Sequence, residues 1–342
     1  MRRVLPVAAL LGLMALFGLV VYAVLGTLKT NPNHSQKPTQ SQALIDLPGN
    51  VYVVQDGSIY RLSSLHFVKL AAPAYDWVQV EQAPGGDLLA VDLSPAYSDV
   101  YLLSTQGTVI RQLLQESSNQ YFQNHWAFYP QVSPNGQTLF YAFDWVDPGS
   151  AYNVDFQIQS VPFSDPGANP EVWSEDNLYY QGGDVEPIPL ASGAVIYAKY
   201  AVDQNTGATY SQLALAASPG AVPTFLTTPQ QDCAEPALSP AGTELAMICT
   251  NNSEQTTSLQ VASWNGTTLG TPVVLCTGPE PASPAWAPDG KSLLYVNTVA
   301  TNKASHFQLW WLPKATAKKP GQPELVTQDL NFTATSPAVW TS

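Results

Sequence analysis

The chain is predicted to be all-β, a six-bladed β-propeller of four-stranded antiparallel blades. Three observations predict it: a phrase repeated five times, a fixed spacing between the copies, and two chain ends that complement each other. The copies are VEQAPGGDLLAV (Val80–Val91), PQVSPNGQTLFYAF (Pro130–Phe143), PIPLASGAVIYAKY (Pro187–Tyr200), PALSPAGTELAMIC (Pro236–Cys249) and PAWAPDGKSLLYVN (Pro284–Asn297), with a truncated sixth, PAVWTS, at Pro337–Ser342. Their glycines, Gly86, Gly136, Gly193, Gly242 and Gly290, are separated by 50, 57, 49 and 48 residues. A period of that size marks a repeat architecture.

Within each copy an inner strand leads into a tight turn of the SPxG type. Proline fixes the first turn position and glycine takes the positive φ at which the chain reverses. The second strand follows (TLFYAF, AVIYAKY, ELAMIC, SLLYVN), apolar and rich in β-formers. A third comes at similar offsets: DVYLLS, DFQIQSV, SQLALA, SLQVASW and HFQLWWL. An outer fourth is expected at TVIRQLL, PEVWSE, PTFLTT, PVVLCT and PELVTQ. No sustained 3.6-residue apolar period appears after the N-terminal segment, so helix should be scarce. Four strands per 40–50 residues make a blade, and blades bury a core only against their neighbours. The stretch NVYVVQDGSIYRLSSLHFVKLA (Asn50–Ala71) supplies three strands without an inner one, and PAVWTS supplies an inner strand without the other three. Joining them closes the ring and removes an open edge.

The turn followed by an apolar strand resembles the TolB-type propeller repeat, best in APDGKSLLYV and SPNGQTLFYA. The resemblance covers about residues 45–342. It implies the architecture and little about activity, since such repeats occur in the periplasmic TolB component of an envelope complex, in propellers attached to serine peptidases, and in other envelope proteins. No separate α/β domain precedes the propeller, so TolB's own partner-binding role does not carry over.

Arg2 and Arg3 precede an uncharged run of 25 residues, Val4–Leu28. About 20 apolar residues cross a bilayer. Residues 1–29 therefore read as an uncleaved signal anchor with a cytoplasmic N-terminus, a cleaved signal peptide being the competing reading. Residues 30–46 read as a flexible stalk and 47–342 as the propeller, placed outside the membrane. The net charge of −13, with 13 Lys plus Arg, disfavours nucleic acid as a partner. Cys233 and Cys249 fall beside each other at the open end of one hairpin. Two readings stand: a disulfide, which an extracytoplasmic compartment permits, or, with Cys276, three small core residues.

No G-x-S-x-G elbow, H-E-x-x-H, P-loop or dinucleotide fingerprint occurs. The four histidines lie apart, so no zinc site is indicated. Candidates for binding are the carboxylates near the starts of the inner strands, Asp184, Glu186, Asp232, Glu235 and Glu280, expected to converge at the channel mouth. Period-2 alternation places Asp184 and Glu186 on one face. Oxygen ligands of this kind suit Ca²⁺ or a cationic ligand, no other cofactor being implied; a hydrated polar channel without a guest is the plainer alternative. Trp126 and Tyr129 are expected as rim aromatics, where rings stack and hydrogen-bond at low entropic cost; inter-blade packing is the alternative for most of the other aromatics. The function expected is that of a membrane-anchored, non-enzymatic binding or scaffold module for an envelope protein, peptide or glycan. The rival is a carboxylate-dependent hydrolase or lyase acting on cell-wall carbohydrate at the axis.

Overall fold

The structure, a computed structural model, describes residues 42–120, 123–145, 155–174, 183–203, 205–300, 305–316, 320–328, 330, 332 and 336–342. The segment read as a membrane anchor and most of the stalk lie outside the described residues, and among the described residues no helix is long and apolar enough to cross a membrane.

The described strands form six four-stranded sheets. The first contains β1 (Asn50–Gln55), β2 (Ser58–Ser63) and β3 (His66–Lys69). The second runs β4 (Trp77–Gln82), β5 (Leu88–Leu93), β6 (Ser98–Leu103), β7 (Val109–Leu114). The third runs β8 (Ala127–Val132), β9 (Thr138–Trp145), β10 (Asp155–Pro162), β11 (Glu171–Val172). The fourth runs β12 (Asp184–Pro189), β13 (Val195–Val202), β14 (Thr209–Ala216), β15 (Thr224–Phe225). The fifth runs β16 (Cys233–Leu238), β17 (Glu244–Asn251), β18 (Thr256–Ser263), β19 (Val273–Gly278). The sixth runs β20 (Ala282–Trp286), β21 (Leu293–Ala300), β22 (Ser305–Leu312), β23 (Glu324–Leu325). The last strand, β24 (Val339–Thr341), returns to the first sheet and pairs antiparallel with β1, Val51 facing Trp340. Trp340 Nε1 donates to the Pro48 carbonyl at 2.8 Å and fixes the seam.

Each repeat turn closes in the same way. The glycine N–H donates to the carbonyl three residues earlier, as in Gly136 to Ser133 (2.8 Å) and Gly242 to Ser239 (2.7 Å), with φ of +73° and +66° at the two glycines. The core is divided among the seams between blades. Val91, Leu102, Leu139 and Val161 fill the seam of the second and third blades. Ile196, Leu213, Leu245 and Met247 fill that of the fourth and fifth. Val51, Leu62, Leu294 and Leu309 fill the seam where the ring closes. This is the packing expected when each sheet buries both faces against neighbours. It begins ahead of residue 47: Ala43 is buried in the closing seam, its N–H donates to the Leu65 carbonyl, and Leu44 N–H donates to Val326. Residues 42–46, assigned to the stalk by composition, therefore belong to the ring.

The inner strands share one irregularity. The pairing of inner with second strand slips between Phe128 and Gln131, Val185 and Ile188, Ala234 and Ala237, and Ala282 and Ala285. Within each slip the residue before the repeat proline has a positive φ: Tyr129 (54°), Glu186 (58°), Glu235 (52°) and Ser283 (51°). The following proline has no N–H to offer the ladder, so the bulge forms where pairing is already interrupted.

Candidate functional site

The bulge decides what faces the axis. A cavity of about 480 Å³ lies there, lined by residues from the inner strands of all six blades, with Pro240 and Pro288 of two repeat turns on its border. Two positions of the repeat build it. The residue before the proline contributes Tyr129, Glu186, Glu235 and Ser283. The residue after it contributes Gln131, Ile188, Ala237, Ala285 and Ala338, and Glu81 takes this position in the second blade, where Val80 replaces the proline. The strand runs from the first position towards the turn, so the post-proline collar lies nearer the turn side and the pre-proline ring lies deeper.

The pre-proline residues are linked blade to blade. Glu186 Oε2 accepts from the Glu235 N–H at 2.8 Å, and Glu235 Oε2 accepts from the Ser283 N–H. Gln79 Oε1 accepts from the Tyr129 N–H at 2.7 Å. Gln79, Glu186 and Glu235 thus each hold the bulge of the next blade, which satisfies backbone donors that the slipped ladder abandons. Among the described residues, Glu186 and Glu235 have no protein partner for the second carboxylate oxygen.

Burial dominates the electrostatics. It pushes the Glu186 carboxyl up, opposed by the Glu235 N–H. It pushes Glu235 up further with the help of the Glu186 charge, opposed by the Ser283 N–H. Glu81 is pushed up to about 8 by burial, against a hydrogen bond with Gln131. Tyr129 is raised by burial and by the charges of Glu186 and Glu235, so its hydroxyl stays protonated at neutral pH. No lysine, arginine or histidine lines the cavity among the described residues.

The structure divides the expected carboxylate group. Glu186 and Glu235 meet at the axis; Asp184, Asp232 and Glu280 do not. Asp184 is fully buried and ion-paired with Lys199 at 3.1 Å. The alternation that would place it on the face of Glu186 is broken by the bulge at Glu186. Asp232 accepts from the Ser211 N–H and hydroxyl and from Asn252 Nδ2, tying blade to blade at the upstream end of β16. Glu280 is exposed, its N–H bonded to Asn297 Oδ1. The expected rim aromatics part as well. Tyr129 lies in the cavity because of its bulge. Trp126 lies at the other end of β8, half-buried, its N–H bonded to Asp144 Oδ1. Cys233 and Cys249 face each other across β16 and β17 and form a disulfide, while Cys276 is free. Among the described residues no group of three or more His, Cys, Asp or Glu side chains is arranged to hold a metal ion.

Glu81, Gln131, Trp286 and Trp340 were not singled out from the sequence. The post-proline register of the repeat was the signal that identifies the first two, once the bulge shows that residues on both sides of the proline face inward.

No family model matches the chain, and no curated protein matches it by sequence. Solved structures do. TolB from Acinetobacter baumannii superposes with a TM-score of 0.62 at 14% identity, over 86% of this chain and 67% of that one. A TolB-type protein from Agrobacterium tumefaciens gives 0.53 at 16% identity, over 71% and 83%. An oligogalacturonate lyase in complex with manganese gives 0.51 at 11% identity, over 80% and 71%. Identities this low speak to the fold alone. By strand order, ring closure and these superpositions, the chain folds as a TolB-like six-bladed β-propeller.

Proposed function

We propose that the protein is a non-enzymatic binding module of the cell envelope, held at the membrane by residues 1–29 with the propeller outside. It takes an envelope protein, peptide or glycan at the turn-side mouth of its axis. The observation that carries this reading is the cavity of about 480 Å³. Its volume falls within the ~300–1,000 Å³ usual for ligand sites, and it is concave and walled by a rigid ring. Polar groups occupy fixed positions in it because Gln79, Glu186 and Glu235 bond the bulges of the next blades. The membrane placement rests on the N-terminal sequence: two arginines before an uncharged run of 25 residues.

A second reading has one specific observation in its favour. Glu186 and Glu235 are neighbouring carboxyls held above their ordinary range, and such a pair supplies a protonated acid beside a base. That arrangement suits a hydrolase or lyase acting on cell-wall carbohydrate.

One experiment separates the two. The full chain is titrated with a panel of envelope-derived peptides and cell-wall oligosaccharides, following heat of binding and product release in the same samples. Saturable binding without conversion is expected. Product formation that disappears in Glu186→Gln/Glu235→Gln, with the circular dichroism spectrum unchanged, would replace the binding reading with the enzymatic one.

A further inference from the structure

We infer that the axial cavity is built for an alkylammonium group, the lysine side chain of a peptide being the form it takes. The inference rests on the reading of this cavity as the binding surface and names the chemistry of its ligand.

Three features lead there. First, the cavity is two-layered. Its turn-side collar is mostly apolar, with Ile188, Ala237, Ala285 and Ala338 on four consecutive blades, and its deeper ring is polar, with Glu186, Glu235, Tyr129 and Ser283. Along these four blades a ligand entering from the turn side meets hydrocarbon first and the carboxylates of Glu186 and Glu235 after it, while Glu81 and Gln131 stand in the collar on the other two. A lysine side chain has this order, an apolar stem and then a charged tip.

Second, the negative charge inside is uncompensated. Glu81, Glu186 and Glu235 line the cavity, and no lysine, arginine or histidine does so among the described residues. Elsewhere the fold does supply a cation to a buried carboxylate, as Lys199 does to Asp184. At the axis the counter-charge is left to come from outside. Half-buried carboxyls in this state take up protons unless a cation arrives.

Third, Glu186 and Glu235 each commit one oxygen to the backbone of the next blade and have the other unpartnered among the described residues. The committed oxygens fix the carboxyl groups on adjacent blades, and the second oxygens are left to accept. An ammonium has three donors and no acceptor, which matches acceptors of this kind. A metal ion is a poorer match, because among the described residues the carboxylates are not gathered into a coordinating group.

The test compares two capped tripeptides on the full chain at about pH 8, where the carboxyls are more fully ionised: acetyl-Gly-Lys-Gly-amide and the same peptide with an Nε-acetylated lysine. The ammonium peptide is expected to bind at least ~10-fold more tightly than its neutral counterpart. Its affinity should fall at least ~10-fold in Glu186→Gln/Glu235→Gln, whose amide oxygens still accept the backbone bonds. A second variant, Ala285→Lys, places an ammonium within the collar; it should abolish peptide binding and raise the melting temperature. Equal binding of the two peptides, lost in Ala285→Lys, overturns the ammonium inference and leaves the cavity as the binding surface. Selective binding untouched by both variants puts the site elsewhere, and both readings fall. Absence of saturable binding, or displacement of the peptide by micromolar Ca²⁺, also overturns the inference.

Discussion

At Gly242 the backbone turns through φ +66°, and no atom lies within 4 Å of the point where a side chain would begin. A substitution there meets no steric obstacle, so its cost is that of the left-handed backbone alone. Gly242→Ala is expected to lose about 1–2 kcal/mol, read from urea unfolding; an unchanged midpoint would show that the turn does not need its glycine. The glycine was legible in the sequence because turn chemistry is local. The residue before the repeat proline was legible as channel-lining, but its bulged backbone was not. Tyr129, Glu186, Glu235 and Ser283 differ in size and charge and none is a glycine, yet all four adopt positive φ. What unites them is a slip in pairing against a strand several residues away, and strict alternation misplaces every side chain upstream of such a slip. That is why alternation groups Asp184 with Glu186 although the structure separates them.

Among the elements, the inner three strands of each blade follow from the repeat, whereas three of the outer strands are shorter than their composition suggests. β11, β15 and β23 have two residues each. Each follows a proline, Pro170, Pro223 or Pro323, which cannot extend the ladder, and short edges of this kind resist pairing with other chains. The upstream ends of the inner strands are tied to their second strands by different chemistry at the same register. In the fourth blade Asp184 faces Lys199 across the pair, and in the fifth Cys233 faces Cys249. An ion pair in one blade and a disulfide in the next hold equivalent positions. The cysteines are separated by 16 residues in sequence, and cross-linking a loop of that length stabilises by about 3 kcal/mol. Cys233→Ala/Cys249→Ala should therefore unfold at lower urea by that amount. A difference below about 1 kcal/mol would mean that the ladder already holds the hairpin closed.

Across the described residues the shifted carboxyls other than Asp203 point one way. Glu81 rises to about 8, Glu116 to about 7 and Asp155 to about 6, with Asp92, Asp99, Asp144, Glu186, Glu235 and Glu244 raised too, and burial is the foremost cause in each. A raised carboxyl holds its proton in the folded state at pH values where the unfolded chain has released it. Its contribution is present below the unfolded value and is lost as pH climbs through the folded one. His125, raised by its hydrogen bond to Asp144, changes in the same sense. Asp203, lowered by backbone N–H groups of Asn205 and Thr206, is the exception. The melting temperature is thus expected to fall between about pH 5 and pH 8, and Glu81→Gln should shrink that fall. A melting temperature that rises over this range would contradict the arrangement of buried acids described above.

The seam between β1 and β24 has a further consequence, for the order of events during synthesis. Asn50 and Thr341 meet across 291 positions of chain. The first blade to leave the ribosome is therefore the last to be completed, since its inner strand is made after every other blade has emerged. Until then β1 presents a bare edge, and the second blade lacks a finished neighbour. Loop closure over such a distance costs little more than over a shorter one, but it cannot start early, and an unpaired edge in a waiting chain invites the wrong partner. The newborn protein is a chain of blades with an unfinished clasp, and the arrival of a few residues around Trp340 turns it into a ring.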